Sequence, residues 1–295
     1  MSIKSILCIF GGSKLELGAV CAAFGLAKAY GSRLCFLHIS PDPSAYASFY
    51  DGDVLVSSNI IEAITKESEA RFQQAEKYIT EMAARYHVPL GGLERPAHHA
   101  SAKFVHLTGS ADVLVAREGR LCDLIVMGRG VASANALYDS AVIAALFNTG
   151  RPVLLLPEVE DDDKTGFSGL EFKNISLAWS GSLESARAMY NALPFLENAE
   201  KIYALTAEGR GETYDLEAES ALMEYLHTHA INATAIVVAA GNRTPEEALL
   251  LRAKELNSDL LVIGAYGHSR FREMMFGGVT NYMLEKANIP LLLSH

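Results

Sequence analysis

Cysteine is scarce in this chain, and the little there is does not pair. The 295 residues include four, Cys8, Cys21, Cys35 and Cys122, all in the first half, in apolar or helical stretches, and none in a CxxC arrangement. Buried, reduced thiols are the reading this spacing favours. Positive charge is also short: 25 Lys and Arg stand against 35 Asp and Glu, a formal net charge of -10 with a pI near 5.4. That balance argues against a nucleic-acid backbone or an anionic membrane as the main partner. A nucleotide stays open, because it needs only local positive potential. The apolar run in Met1 to Phe10 is too short for a signal-peptide core or a membrane span. It reads as a first strand, and the chain as cytoplasmic. No metal set emerges: His98 and His99 are adjacent, so on an extended segment they point to opposite faces, and neither cysteine nor carboxylate completes a site with His106. No nucleophile–base arrangement or general base stands out either. No catalytic residue is assigned, and the chain reads as a binding protein rather than an enzyme.

What is present is ample apolar material, 50% of residues, in a length that suits two domains. Strand and helix patterns alternate. Ile3 to Phe10 reads as a strand, Leu15 to Tyr30 as a helix, and Arg33 to Ile39 as a second strand. A turn-rich insertion, Pro41 to Asp53, carries Tyr46, Phe49 and Tyr50, as a lid, an interface or a locally packed loop. A long helix runs from Ser57 or Ser58 to about Tyr86, with Ile60, Ile61, Ile64, Phe72, Ala75, Ile79 and Met82 on its inner face. A weak strand follows near Phe104 to Leu107, then a helix from Ser110, and the strands Leu124 to Met127 and Pro152 to Leu156. Residues 158–172, with Glu160-Asp161-Asp162-Asp163-Lys164, form a solvated acidic linker between domains at 1–157 and 173–295.

After the linker the pattern restarts. Cys122-Asp123-Leu124-Ile125-Val126-Met127-Gly128 matches Ser258-Asp259-Leu260-Leu261-Val262-Ile263-Gly264, Gly12-Ser13 matches Gly181-Ser182, and Pro152 matches Pro290. Thr244-Pro245-Glu246-Glu247 has the cap, N1 proline and early carboxylates of a helix start. Two tandem α/β domains, each a doubly wound parallel sheet, follow from this alternation. Ligands of such sheets sit at the carboxyl ends of strands, where strand order reverses.

The most informative stretch begins at Ser258. A buried strand, Leu260 to Ile263, ends at Gly264-Ala265-Tyr266-Gly267, and nine residues later Gly277-Gly278-Val279-Thr280 opens a helix over Asn281 to Ala287. Free N–H groups and the positive end of a helix dipole make such a place an anion site. The spacing Gly264-x2-Gly267-x9-Gly277-Gly278 resembles the signature of the universal stress protein family, G-x2-G-x9-G-[ST]. Pro290-Leu291-Leu292-Leu293 resembles that family's last strand.

The resemblance implies an adenine nucleotide alpha hydrolase-like fold with strand order 3-2-1-4-5 in each half, and a site for ATP or a related adenine nucleotide, with or without Mg. Carried over by position, its contacts are Ala178 and Ser180 after strand one, Ala207 after strand two, Ile263, Gly264 and Gly267 at the loop, and Gly277, Gly278, Val279 and Thr280 at the helix start. Two positions depart from the family: Ser180 stands where an Asp is usual, and Gly278 where Ser or Thr is. His268, Arg270 and Arg272 stand within the nine-residue spacer, near any phosphate. The first half lacks the spacing, with Gly128-Arg129-Gly130 and Asp139-Ser140-Ala141 in its place, and reads as a degenerate copy. The implied role is stress-response binding or regulation, with slow ATP hydrolysis, or a nucleotide-free scaffold or apolar-ligand carrier, as alternatives. Partners are a small-molecule nucleotide, the other half of the chain through the last strands Val153 to Leu156 and Leu291 to Leu293, and a second copy as a homodimer.

Overall fold

The computed structural model describes residues 2–43, 58–91, 99–129, 136–158, 171–208, 216–265, 282–284 and 286–295. The chain divides into two compact units, one built mainly from Ile3–Thr149, the other mainly from Gly150–Pro157 and Leu170–His295.

In the first unit β1 (Ser5–Ile9), β2 (Arg33–Ser40), β3 (Ser101–Thr108) and β4 (Leu124–Gly128) are parallel, in the order β3-β2-β1-β4. Their connections contain α1 (Leu17–Tyr30), α2 (Ser58–Tyr86) and α3 (Ala111–Gly119), and α4 (Ala136–Asn148) follows β4. β4 is buried along its whole length, as five apolar or glycine residues in a covered parallel strand must be. On α2, Ala75 and Ile79 are fully buried, and Ile61, Ile64, Phe72 and Met82 are half-buried, so these residues of the stripe read from sequence pack inward, while the Ile60 side chain lies outside what the structure describes. β3 is longer than the sequence suggests. Its middle alternates half-buried and exposed residues, which dilutes the apolar signal.

The second unit holds β5 (Val153–Leu156), β6 (Asn174–Ala178), β7 (Lys201–Glu208), β8 (Thr234–Ala239), β9 (Leu260–Gly264) and β10 (Leu291–Ser294), in the order β5-β10-β9-β6-β7-β8. Its helices include α5 (Leu183–Leu196), α6 (Leu216–Thr228) and α7 (Pro245–Glu255). Taken from β8 to β10 this is strand order 3-2-1-4-5, all parallel. The α7 start forms as its sequence requires: Thr244 Oγ1 accepts from Glu247 N, Glu247 Oε2 accepts from Thr244 N, and Pro245 stands at the first turn.

The repeat is visible atom by atom. In the first unit Asp123 Oδ2 accepts from Lys4 N (2.8 Å) and Ser5 N (2.9 Å), and Asp123 N donates to Ser5 O (2.8 Å). In the second, Asp259 accepts from Lys173 N (2.9 Å) and Asn174 N (3.1 Å), and its N donates to Asn174 O (2.9 Å). The aspartate of each Asp-Leu repeat ties the start of its strand to the start of the first strand beside it. Among the described residues no helix is long and apolar enough to cross a membrane.

β5, which follows β4 in the strand order as the fifth strand of the first half, pairs antiparallel with β10, with Leu155, Leu154 and Val153 opposite Leu291, Leu292 and Leu293. All six side chains are buried. Without β5 the β10 edge would present unpaired backbone beside three leucines, a template for pairing with another chain. Residues 170–295 expressed alone should therefore be a homodimer or insoluble by size-exclusion chromatography. A stable soluble monomer would count against that account of the edge.

Candidate functional site

In the second unit, β6 and β9 are neighbours with Leu177 opposite Val262, and β7 lies on the other side of β6 with Leu205 opposite Ala178. Their carboxyl ends therefore rise side by side. This edge collects Ala178 and Ser180 from β6 and its exit, Ala207 from β7, and Ile263 and Gly264 from β9. Ala178 and Ile263 are buried, Ala207 and Gly264 half-buried, and Ser180 exposed. Half of the residues expected from sequence are thus gathered where strand order reverses. The other half, Gly267, Gly277, Gly278, Val279 and Thr280, lie outside the described residues, as do His268, Arg270 and Arg272, and the Tyr46–Tyr50 insertion.

The exit from β6 is shaped by its own hydrogen bonds. Trp179 N donates to Leu205 O at 2.8 Å, which keeps the chain in the sheet for one more residue. Gly181 then turns at φ +70, a left-handed conformation that glycine adopts without strain. Ser182 caps α5: its Oγ accepts from Ser185 N at 3.2 Å and from the Ser180 hydroxyl at 3.1 Å. A β-carbon at Gly181 would meet no atom of the described residues within 4 Å, so the described residues leave the crevice open at this point. The Trp179 indole Nε1 is buried, with no hydrogen-bond partner among the described residues. A buried donor without an acceptor is costly and calls for one.

Gly264 has a reason to be glycine that the sequence did not reveal. A β-carbon there would lie 2.5 Å from Ser185 N and 2.6 Å from the Glu184 carbonyl carbon, inside the first turn of α5. The same contact recurs in the first unit, where a β-carbon on Gly128 would lie 2.9 Å from Glu16 Cα. Each glycine lets the helix after strand one pack over the end of strand four.

The first unit's equivalent edge is closed. Phe10 N donates to Leu37 O at 3.0 Å, the counterpart of the Trp179 bond, so Gly11, Gly12, Ser13 and Glu16 correspond to Ser180, Gly181, Ser182 and Ser185. Gly12 has φ +90, and a β-carbon on it would lie 2.6 Å from Arg71 O on α2. Where Gly181 faces no described atom within 4 Å, Gly12 faces helix backbone. Glu16 completes the closure. It is 6% exposed, its Oε2 accepts from Ser13 N at 3.1 Å, and it lies 3.0 Å from where a β-carbon on Gly11 would be. A carboxylate from the helix thus fills the space beside the end of strand one. Burial pushes its pKa from 4.5 up to about 7, opposed by the amides of Ser13 and Gly11 and by the Arg71 charge. Sequence reasoning passed over Glu16, because Ser13-x-x-Glu16 is an ordinary capping-box pattern. Farther along the same edge, His38 Nδ1 lies 2.9 Å from Phe10 O, and burial lowers its pKa. His106 stacks on Phe72 at 4.3 Å and hydrogen-bonds Ser40 Oγ at 2.8 Å.

Residues 171–295 match the sequence model of the Universal stress protein family. A curated relative, Universal stress protein Slr1230 from Synechocystis sp. (strain ATCC 27184 / PCC 6803 / Kazusa), is 43% identical over 47 residues, 16% of this chain; the match spans only 16% of that relative's length. Among solved structures, a universal stress protein from Archaeoglobus fulgidus DSM 4304 superposes with a TM-score of 0.67 at 13% identity, covering 98% of this chain and 96% of that one. The functionally unknown protein PA1789 from Pseudomonas aeruginosa PAO1 gives a TM-score of 0.55 at 15% identity, covering 99% and 92%. At these identities the two structures speak for the fold alone.

Proposed function

Because this chain belongs to the universal stress protein family, its match lying in residues 171–295, we propose that its second half, 173–295, binds one adenine nucleotide of the ATP class as a stress-response binding protein acting in the cytoplasm. The observation that carries this reading is the asymmetry between the two strand-one exits. Gly181 meets no described atom, whereas Gly12 is packed on Arg71 O and Glu16 fills the room beside Gly11. The second edge can admit a ligand, and the first holds its own carboxylate there. In this reading Ala178, Ser180 and Ala207 meet the nucleoside end. Ile263 and Gly264 lead to the phosphate end, where Gly267, Gly277, Gly278, Val279 and Thr280 supply backbone amides and a hydroxyl, and Mg accompanies the phosphates. The unpartnered Trp179 Nε1 supports a ligand that brings an acceptor to this edge. Binding, and not turnover, is the proposed activity, since no general base is assigned.

Trp179 is the single tryptophan of the chain and stands at the site, so its emission is a built-in reporter. Titration with ATP should change Trp179 fluorescence and saturate, and calorimetry should count one site per chain. Ser180→Asp should tighten binding about tenfold, the worth of one hydrogen bond to a charged group. Two equivalent sites would overturn the assignment to one half. Absence of binding to any adenine nucleotide, in protein that melts cooperatively, would overturn the function.

A further inference from the structure

The first unit carries a second concavity, at the end of its sheet opposite to the strand carboxyl ends. Ser5 and Arg33 open β1 and β2 and are in register, as are Leu7 and Cys35, and Cys35 and Lys103. In-register residues of neighbouring strands project to the same face, so Leu7, Cys35 and Lys103 make a row across three strands, with Ser5 and Arg33 beside it. These side chains, with Glu118, Leu121 and Cys122 at the end of α3, line a cavity of 300 Å³. That is the lower end of the range for small-molecule sites.

Its lining is divided by chemistry. The floor is apolar, with Leu7 and Cys122 buried, while Leu121 at the rim is 87% exposed. An apolar body seated in the hollow would cover part of that leucine. Arg33 and Lys103 supply two cations, and neither forms an ion pair with a described residue. The nearby carboxylate, Glu118, is already engaged by Arg117, with Nη2 at 2.9 Å and Nε at 2.9 Å. Lys103 also hydrogen-bonds the Cys35 thiol, and in a chain of net charge -10 two cations without a described carboxylate partner over an apolar floor select an anion with an apolar body. The lining is particular to this half. The register equivalents of Cys35 and Lys103 in the second unit are Tyr203 and Thr234, a large ring and a neutral side chain.

We propose that this cavity binds a small amphipathic anion, its apolar body on Leu7, Cys35 and Leu121 and its acidic head between Arg33 and Lys103. The site is separate from the nucleotide edge of the second half, and does not depend on it.

The cavity reports on itself, because Cys35 is half-buried while Cys8, Cys21 and Cys122 are buried. Two measurements on the full chain test the assignment. In the first, 1-anilinonaphthalene-8-sulfonate, an aromatic body with a sulfonate, is titrated by fluorescence and displaced with octanoate. One saturable site is expected, displaced by octanoate but poorly by octanol, and weakened about tenfold or more by Lys103→Glu, which removes one charge-assisted contact and adds repulsion. In the second, iodoacetamide labelling of Cys35 is followed by mass spectrometry, and octanoate should slow it in the parent but not in Lys103→Glu. Lys103 is exposed at the cavity mouth, so the variant should melt like the parent. Dye binding that is absent, or unchanged by Lys103→Glu, would overturn the proposal. So would displacement by octanol as strong as by octanoate, or labelling of Cys35 that octanoate leaves unaltered.

Discussion

Gly264→Ala should destabilise the second unit by about 3 kcal/mol, from the loss of room for a single methyl group. A β-carbon there would sit 2.5 Å from Ser185 N and 2.6 Å from the Glu184 carbonyl carbon. Both are backbone atoms, so no side chain can swing aside. The first turn of α5 has to move, and overpacking of this kind costs about 1–3 kcal/mol. Ser185 N is also the donor to the Ser182 cap at 3.2 Å, and losing that cap adds about 1 kcal/mol. The fair comparison is Gly181→Ala. Gly181 has φ +70 with no described atom within 4 Å of the new carbon, so only backbone strain of about 1 kcal/mol is expected. Urea denaturation of both variants measures the difference. Equal midpoints for Gly264→Ala and the parent would mean that α5 does not rest on this glycine, and would leave ligand approach as its only role.

The parts legible in the sequence are those set by local pattern. Asp123 and Asp259 stand in matched apolar runs, and both tie their strand to strand one through the same backbone amides. The crevice edge was legible for the same reason: once Leu260–Gly264 and Asn174–Ala178 are parallel neighbours, Ser180 and Gly264 must emerge together. What stayed hidden depends on contacts far apart in the chain. Nothing near Gly264 says that residues 184 and 185 press against it. The pairing of Val153–Leu156 with Leu291–Leu293, by contrast, was legible, because two continuous apolar last strands would each leave an exposed edge if unpaired. Trp179 has no local signature either, being an indole at a strand end, and its lack of a partner among the described residues shows only in the folded chain.

Glu16 was hidden in the same way, and it leads to the second large effect. Its pattern with Ser13 announces a cap, and the structure makes that cap, with Ser13 N donating to Glu16 Oε2 at 3.1 Å. The pattern does not announce that the carboxylate is 6% exposed, under α2 and beside the end of β1. The groups around it are the amides of Ser13 and Gly11, the Arg71 guanidinium from α2, and the Cys8 thiol of β1. Burial outweighs the favourable ones and lifts the pKa from 4.5 to about 7. Because the folded value lies above the unfolded one, the folded chain holds an extra proton between those limits. The contribution of this group to stability is therefore greatest below pH 4.5, declines as pH rises to 7 and keeps falling until the carboxyl is fully ionised. The difference, 7 minus 4.5 at about 1.4 kcal/mol per pH unit, is about 3 kcal/mol for this group. Glu16→Gln keeps the shape and an acceptor oxygen for Ser13 N, and removes the titration. It should match the parent near pH 4 and exceed it by up to about 3 kcal/mol at pH 8. Denaturant midpoints across that range, read on the transition of the first unit, decide the matter. If the two curves run parallel from pH 4 to pH 8, the carboxylate does not titrate in the folded crevice, and Glu16 is a cap and nothing more.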